Sequence, residues 1–249
     1  ELLHGKDLGL LNCIAQDMAS VSNTKYSSVT RCSQDYRMGN ISNARIHIFQ
    51  SYNNLLWMGH TVWGDHDMFH SSDTVAGRLM AVSKAISGGP VYLSDHPDGF
   101  IPEYVKPICY NNGEIIRPSA PALPLPESVF NNPLHKKAAY RVIAPQPYKA
   151  ASVVCYNLVE AEKAVAVNAA ISEEDYRYAS ALLQPYPGEW QLPEEGLVYY
   201  DWYEQQIVPG GKTEFELTGF TDKLIHMYPV QNGVAVIGRT DKYMSPAKI

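Results

Sequence analysis

The chain has 249 residues, enough for one large domain or two ordinary ones, and its 45% hydrophobic and 18% charged content is that of a soluble globular protein with ample core. A formal charge of −6 argues against a nucleic-acid binder, which normally carries a basic stripe. No apolar run approaches the roughly 18 residues of a membrane span.

Residues 8–15 (LGLLNCIA) read as a buried strand, and residues 27–32 (SSVTRC) as another. Cys13 and Cys32 lie in or just after these runs. The four cysteines are widely spaced with no C-x-x-C pair, so buried free thiols are expected rather than a zinc knuckle. Residues 41–55 are helix-like, with Ala44, Ile48, Tyr52 and Leu55 at near-helical spacing, and residues 55–58 form another short apolar run ahead of Gly59. Residues 74–86 give the best helix: Val75, Leu79, Val82 and Ile86 share a face, Ser71, Ser72 or Asp73 is the N-cap, and Gly88-Gly89-Pro90 is the stop. A strand at 91–94 ending at Asp95, a turn at 96–99 and a short helix within 101–109 close this half.

Strands alternating with helices mean parallel β/α units. Four strands with polar residues just after them fit half of a (β/α)8 TIM barrel, whose sites lie at the carboxyl ends of the strands. Those ends carry Gln16 and Asp17, Arg31 and Asp35, Asp65 and Asp67, and Asp95. An open doubly wound sheet has the same pattern, but there is no glycine-rich phosphate loop to favour it. The expected division is a half barrel at 1–116, a proline-rich connector at 117–135, and an antiparallel β-sandwich at 136–249. Strand-like runs at 140–143, 152–156, 164–167, 196–200, 213–217, 224–228 and 234–237 mark the sandwich, with a turn at Pro209-Gly210-Gly211 and a strong hairpin cue at Asn232-Gly233. Tyr199, Tyr200, Trp202 and Tyr203 are read as sandwich core in preference to a sugar platform.

Two segments carry the chemistry. An arginine four residues before an aspartate sets a cation beside a carboxylic acid and offers a planar fork to a sugar hydroxyl. Asp35 is thus a candidate acid/base, with a loop salt bridge or helix cap as the bland alternative. In the run Trp63-Gly64-Asp65-His66-Asp67-Met68-Phe69, aspartates suit sugar hydroxyls and a tryptophan suits a sugar's C–H face. A metal site built from His60, Asp65, His66, Asp67 and His70, and a capped solvated loop, compete with that reading. Asp95 is a further strand-end site residue or a turn former.

Read together with Ala85-Ile86-Ser87-Gly88-Gly89-Pro90-Val91-Tyr92-Leu93-Ser94-Asp95, R-x-S-x-D at Arg31 to Asp35 and G-E-I-I-R-P at Gly113 to Pro118, the second segment resembles the raffinose synthase and seed-imbibition-protein group. That group lies in the retaining α-galactosidase superfamily of glycoside hydrolases. The resemblance implies barrel strands five to eight followed by a β-sandwich. It implies Asp35 as general acid/base, Arg31 as its sugar-contacting neighbour, and Asp67 and Met68 lining a terminal-galactose subsite with Trp63 and Asp65 close by. Cys13 is assigned to the substrate-binding set as well. No metal or organic cofactor is implied, and the partner is an oligosaccharide or galactoside. The family's nucleophile, an aspartate after a lysine on strand four, has no counterpart here, since Lys6-Asp7 directly abuts the first strand-like run.

Gln34 stands where plant members usually have an aspartate, His66 where they have tryptophan, and Gly59-His60 where they have Gly-Glu. These departures favour an α-galactoside hydrolase over a plant-type galactosyltransferase; a non-catalytic sugar-binding remnant is the other alternative. The chain opens at Glu1 without an initiator methionine or leader-like stretch. It is therefore expected to be a piece of a longer protein, inactive alone. Compartment and oligomeric state are unspecified; an oligomer is left open.

Overall fold

The computed structural model describes residues 4–6, 8–208 and 210–244. Three parallel strands open the fold: β1 (Leu11–Asn12), β2 (Val29–Arg31) and β3 (Trp63–Asp65), with β2 central. Arg31 and Asp65, the last residues of neighbouring strands, are register partners. A parallel bridge between Phe69 and Leu93 adds a fourth strand position, which is all that forms of the strand expected at 91–94. The helices α1 (Met18–Ser22), α2 (Ile41–Met58) and α3 (Gly77–Ser87) follow the strands in turn, giving half of a parallel β/α barrel.

Two expected strands are corrected. The run at 8–15 contributes only two strand residues, and Leu8, Leu10, Leu11 and Ile14 are exposed rather than buried. Among the described residues β1 pairs on one side only, with β2, and the one-turn α1 covers little of it. Residues 55–58 are the last turn of α2, not a strand. Leu55 and Met58 continue the face set by Ala44, Ile48 and Tyr52, so packing carries the helix on to Met58. The true strand, Trp63–Asp65, is short and holds Gly64, where a Cβ would lie 2.8 Å from Leu55 and 2.9 Å from the Cys32 sulfur. Helix α3 starts at Gly77, because Asp73 Oδ1 accepts from the Val75 and Ala76 amides and holds 74–76 as a turn. It ends as expected at Gly88, whose φ of 72° suits glycine.

Two short helices, α4 (Pro102–Val105) and α5 (Pro126–Val129), flank β4 (Leu123–Pro124). The next strands are β5 (Tyr140–Pro145), β6 (Ala151–Asn157) and β7 (Ala166–Ser172). Helix α6 (Glu173–Ala179) then leads to β8 (Leu197–Asp201), β9 (Gln206–Val208), β10 (Lys212–Thr218) and β11 (Thr221–Pro229). The main sheet is antiparallel with order β4-β5-β6-β11-β8-β9, and β7 pairs with β10 in a second sheet. The run at 234–237 contributes a single bridge, Gln231 to Val234, around Asn232 and Gly233, both at positive φ as a two-residue hairpin requires.

All seven residues of β6 are buried. Val153 and Cys155 pack with Val167, Ile171 and Leu217 of the small sheet. Val154 and Tyr156 pack with Tyr52 of α2 and Val82 and Ile86 of α3. The large sheet is therefore the middle layer between the barrel helices and the small sheet. The Tyr52 and Tyr156 hydroxyls meet at 3.1 Å, and Arg78 reaches Asp222 at 2.7 Å. Tyr199 and Tyr200 lie in buried clusters, as expected of sandwich core. Cys32 and Cys155 are buried free thiols, but Cys109 is half-buried and Cys13 exposed, against expectation.

Candidate active site

Arg31 projects from the end of β2 into three carboxylates. Its Nε donates to Asp65 Oδ2 at 2.9 Å, its Nη2 lies 2.7 Å from Asp67 Oδ1, and its Nη1 donates to Asp35 Oδ1 at 3.1 Å. The fork of the guanidinium makes this triple engagement feasible from one side chain. Burial works against the Arg31 charge, but Asp65 and then Asp67 more than offset it and hold the group firmly protonated. The Tyr92 hydroxyl donates to Asp65 Oδ1 at 2.9 Å, and the Asp67 amide donates to the same oxygen at 2.7 Å. Asp67 takes a positive φ of 63°, and its Oδ2 accepts from the Tyr36 amide at 2.7 Å. Asp65 and Asp67 are thus saturated and buried. Asp35, with its side chain 67% exposed, has only Arg31 as a side-chain partner among the described residues. Of the three carboxylates it alone is exposed.

A second layer holds this corner. The His66 carbonyl accepts from the buried Lys84 amine and lies 2.9 Å from His47 Nε2, while His47 Nδ1 lies 3.1 Å from the Gln34 carbonyl. His47 thus sits between the two loops that carry Asp35 and Asp67, and as a neutral imidazole it donates to one of the two carbonyls. Burial, opposed by Asp67 and Asp65, brings the Lys84 amine down to about 8.

Arg31, Asp35, Asp65 and Asp67 are brought together. Met68 follows directly and is half-buried. Trp63 sits at the other end of β3, packed so closely on Gly88 that a Cβ there would lie 2.2 Å from its ring. Cys13 is one residue beyond the pairing of Asn12 with Thr30, at the level of Arg31 and Asp65 on the neighbouring strands. Asp95 accepts from the amides and hydroxyls of Ser71 and Ser72, which makes it a loop tie. The residues weighed as metal ligands scatter. His60 is exposed and meets Gln184, His70 stacks on Tyr36, and His66 is buried edge-on against Tyr52. Among the described residues no group of three His, Cys, Asp or Glu side chains is placed to hold a metal ion, and no helix is long and apolar enough to cross a membrane.

Sequence reasoning gave no site role to Tyr36, His47, Lys84 or Tyr92. Lys84 had a signal: it is the one charge in the run Leu79 to Ser87, otherwise small or apolar. Arg31→Met is expected to destabilise the chain by about 3–5 kcal/mol, because it strands two buried carboxylates without their cation. Denaturant midpoints measure this, and Arg31→Lys should recover only part of the loss, since an ammonium lacks the three-way fork.

Residues 3–153 match the family model described as "Raffinose synthase or seed imbibition protein Sip1". An Arabidopsis thaliana protein named "Probable galactinol–sucrose galactosyltransferase 4" is 40% identical over 94 residues, which is 37% of this chain and 11% of that protein. Among solved structures, a GH27 β-L-arabinopyranosidase from Geobacillus stearothermophilus superposes with a TM-score of 0.60 at 12% identity, covering 86% of this chain and 48% of that one. Alpha-galactosidase I from Mortierella vinacea gives 0.53 at 13% identity, covering 90% and 60%. At these identities the likeness is one of fold: a partial barrel followed by a β domain. The chain spans about a tenth of the length of the first curated relative and about half of the first structural one.

Proposed function

The chain belongs to the raffinose synthase or seed imbibition protein family, and from that premise we propose that it supplies the acid/base half of a retaining site for α-galactosides. The observation that carries this is the unequal treatment of three aspartates around one arginine: two are buried and saturated, and Asp35 is left exposed. In the first step the Asp35 carboxylic acid gives its proton to the glycosidic oxygen as the bond from that oxygen to the anomeric carbon breaks. A second carboxylate, which we assign to a strand N-terminal to this sequence, bonds to the anomeric carbon. In the second step the Asp35 carboxylate takes a proton from water, whose oxygen displaces the enzyme carboxylate. Arg31, already neutralised by Asp65 and Asp67, orients Asp35 without being its private counter-ion. Asp67, Met68, Asp65, Trp63 and Cys13 are proposed to shape the galactose subsite.

Transfer to a sugar hydroxyl in place of water is the second reading, favoured by the names of the curated relatives. The two share every residue role above and differ only in what occupies the acceptor position. The proposal has a direct test on the 249-residue chain. Galactose should perturb the backbone amide resonances of Asp35, Asp65 and Asp67, with no turnover of an aryl α-galactoside until the upstream strands are restored. An absence of galactose-dependent shifts at those three residues sinks it. Once the complete barrel is assembled, the ratio of galactose to trisaccharide formed in the presence of sucrose separates hydrolysis from transfer.

A further inference from the structure

Lys84 sits in the last turn of α3 and is 1% exposed, beside Ala81, Val82, Ala85 and Ile86, all buried. Taking an ammonium out of water is expensive, and a methionine would fill nearly the same volume without that cost. The reaction steps above leave this charge unused. Its hydrogen bond goes to the His66 carbonyl. Asp67 and Asp65, with the Cys32 thiol, favour its ammonium form, and Arg31 opposes it. The neutral imidazoles of His47 and His66 face it as well.

These contacts converge on the peptide between His66 and Asp67. Its carbonyl accepts from Lys84, and its N–H donates to Asp65 Oδ1 at 2.7 Å. A peptide is planar, so holding both polar ends fixes its rotation. It leads into Asp67 at a φ of 63°, a left-handed conformation that is uncommon outside glycine. In that conformation Asp67 Oδ1 lies 2.7 Å from Arg31 Nη2, and Oδ2 accepts from the Tyr36 amide at 2.7 Å. His47 Nε2 lies 2.9 Å from the same His66 carbonyl, but a neutral imidazole has one N–H, and the Gln34 carbonyl competes for it. An ammonium has no such ambiguity, since it only donates. Among the described residues two buried cations at this corner, Arg31 and Lys84, stand against two buried carboxylates, Asp65 and Asp67. That balance leaves the third arm of Arg31 to Asp35.

We propose that Lys84 is a positioning residue for the reaction: it locks the His66–Asp67 peptide so that Asp67 stays on Arg31, and its charge balances the second buried carboxylate. It acts through Asp67 from within the fold, so this role rests on the reading of Asp67 as part of the galactose subsite. Without the ammonium the peptide is free to rotate. The Asp67 amide then leaves Asp65, φ relaxes toward the negative values usual for aspartate, and the carboxylate swings off the guanidinium.

The test uses the 249-residue chain. In Lys84→Met the Asp67 amide should exchange with solvent about tenfold faster than in the unaltered chain, and galactose should bind about tenfold more weakly. Lys84→Arg keeps a donor and a permanent charge, and should bring both back to within about threefold. The pH dependence separates this role from mere packing. Burial lowers the Lys84 amine to about 8 against the pull of Asp67 and Asp65. Galactose affinity of the unaltered chain should therefore fall as the pH rises through about 8, and stay level in Lys84→Arg. Unchanged exchange at Asp67 in Lys84→Met overturns the lock, whether or not galactose binds. The same alkaline fall in the unaltered chain and in Lys84→Arg overturns the charge balance. Should Lys84→Met not fold, the comparison with Lys84→Arg decides alone. Silence toward galactose in the unaltered chain overturns the galactose-pocket reading instead, and exchange at Asp67 still decides the lock.

Discussion

Replacing Asp35 by alanine in the complete enzyme is expected to lower turnover of an alkyl α-galactoside by about a hundredfold to ten-thousandfold, the range that general acid–base assistance supplies. The loss should depend on the leaving group. An alkoxide must be protonated as it departs, whereas a dinitrophenolate leaves unaided, so the first step with the activated substrate should be nearly intact. The second step would still lack its base. A small anionic nucleophile such as azide, which needs no deprotonation, should therefore restore turnover of the activated substrate and yield a galactosyl azide. The fold should be unaffected: Asp35 has an exposed side chain, and its pairing with Arg31 is of the kind worth about 0.2–1 kcal/mol. Near-normal turnover of the alkyl galactoside, or an equal loss on both substrates without azide rescue, would remove Asp35 from the acid/base role. Asp65→Asn and Asp67→Asn make the contrast, because both residues are buried partners of Arg31 and should fail first by stability.

The same contrast explains what the sequence made readable. The alternation of short apolar runs with amphipathic helices was enough for half a parallel barrel, and the denser strand cues beyond residue 136 were enough for an antiparallel sandwich. Arg31 and Asp35 were visible as a local pair, and Asp65 and Asp67 as another. That one guanidinium joins all of them was not, because it depends on the parallel register that sets Arg31 against Asp65, a relation across 34 positions. Tyr92 entered the site through the same kind of non-local pairing, by way of the bridge from Phe69 to Leu93.

Other misses have different causes. Residues 55–58 have no β-turn or proline to separate them from the helix before them, so helical packing on Tyr52 and Ile48 overrode a short apolar run. Helix α6 was readable and was passed over: Ser172 and Asp175 form a reciprocal capping box, with Glu173 and Glu174 in the first turn. In β6 the expected strand was found, but burial of every residue on both faces follows from its place in the middle layer, which no local pattern encodes.

Acid should destabilise the chain through its buried imidazoles. His47, His66 and His226 are buried and neutral. Burial, with Lys84 adding to it at His47, pushes the His47 imidazole down to about 3; burial alone does the same for His226. His66 is held well below the usual range by burial, then by Lys84 and His47, and neither of its ring nitrogens has a hydrogen-bond partner among the described residues. In the unfolded chain each binds a proton near 6.5. Between 6.5 and about 3 the unfolded state therefore holds more protons, and stability falls as the pH falls. The full contribution is present above 6.5 and is lost progressively toward 3. For His47 and His226 the gap is worth up to roughly 5 kcal/mol each, against a total stability of about 5–15 kcal/mol for a typical domain. Unfolding by circular dichroism is accordingly expected at about pH 4–5. In His47→Gln, the steepness of stability against pH should drop by about one proton over that window, since glutamine does not titrate. A chain that keeps its tertiary signal down to pH 3, or a variant with the wild-type slope, would show that these rings are not held neutral.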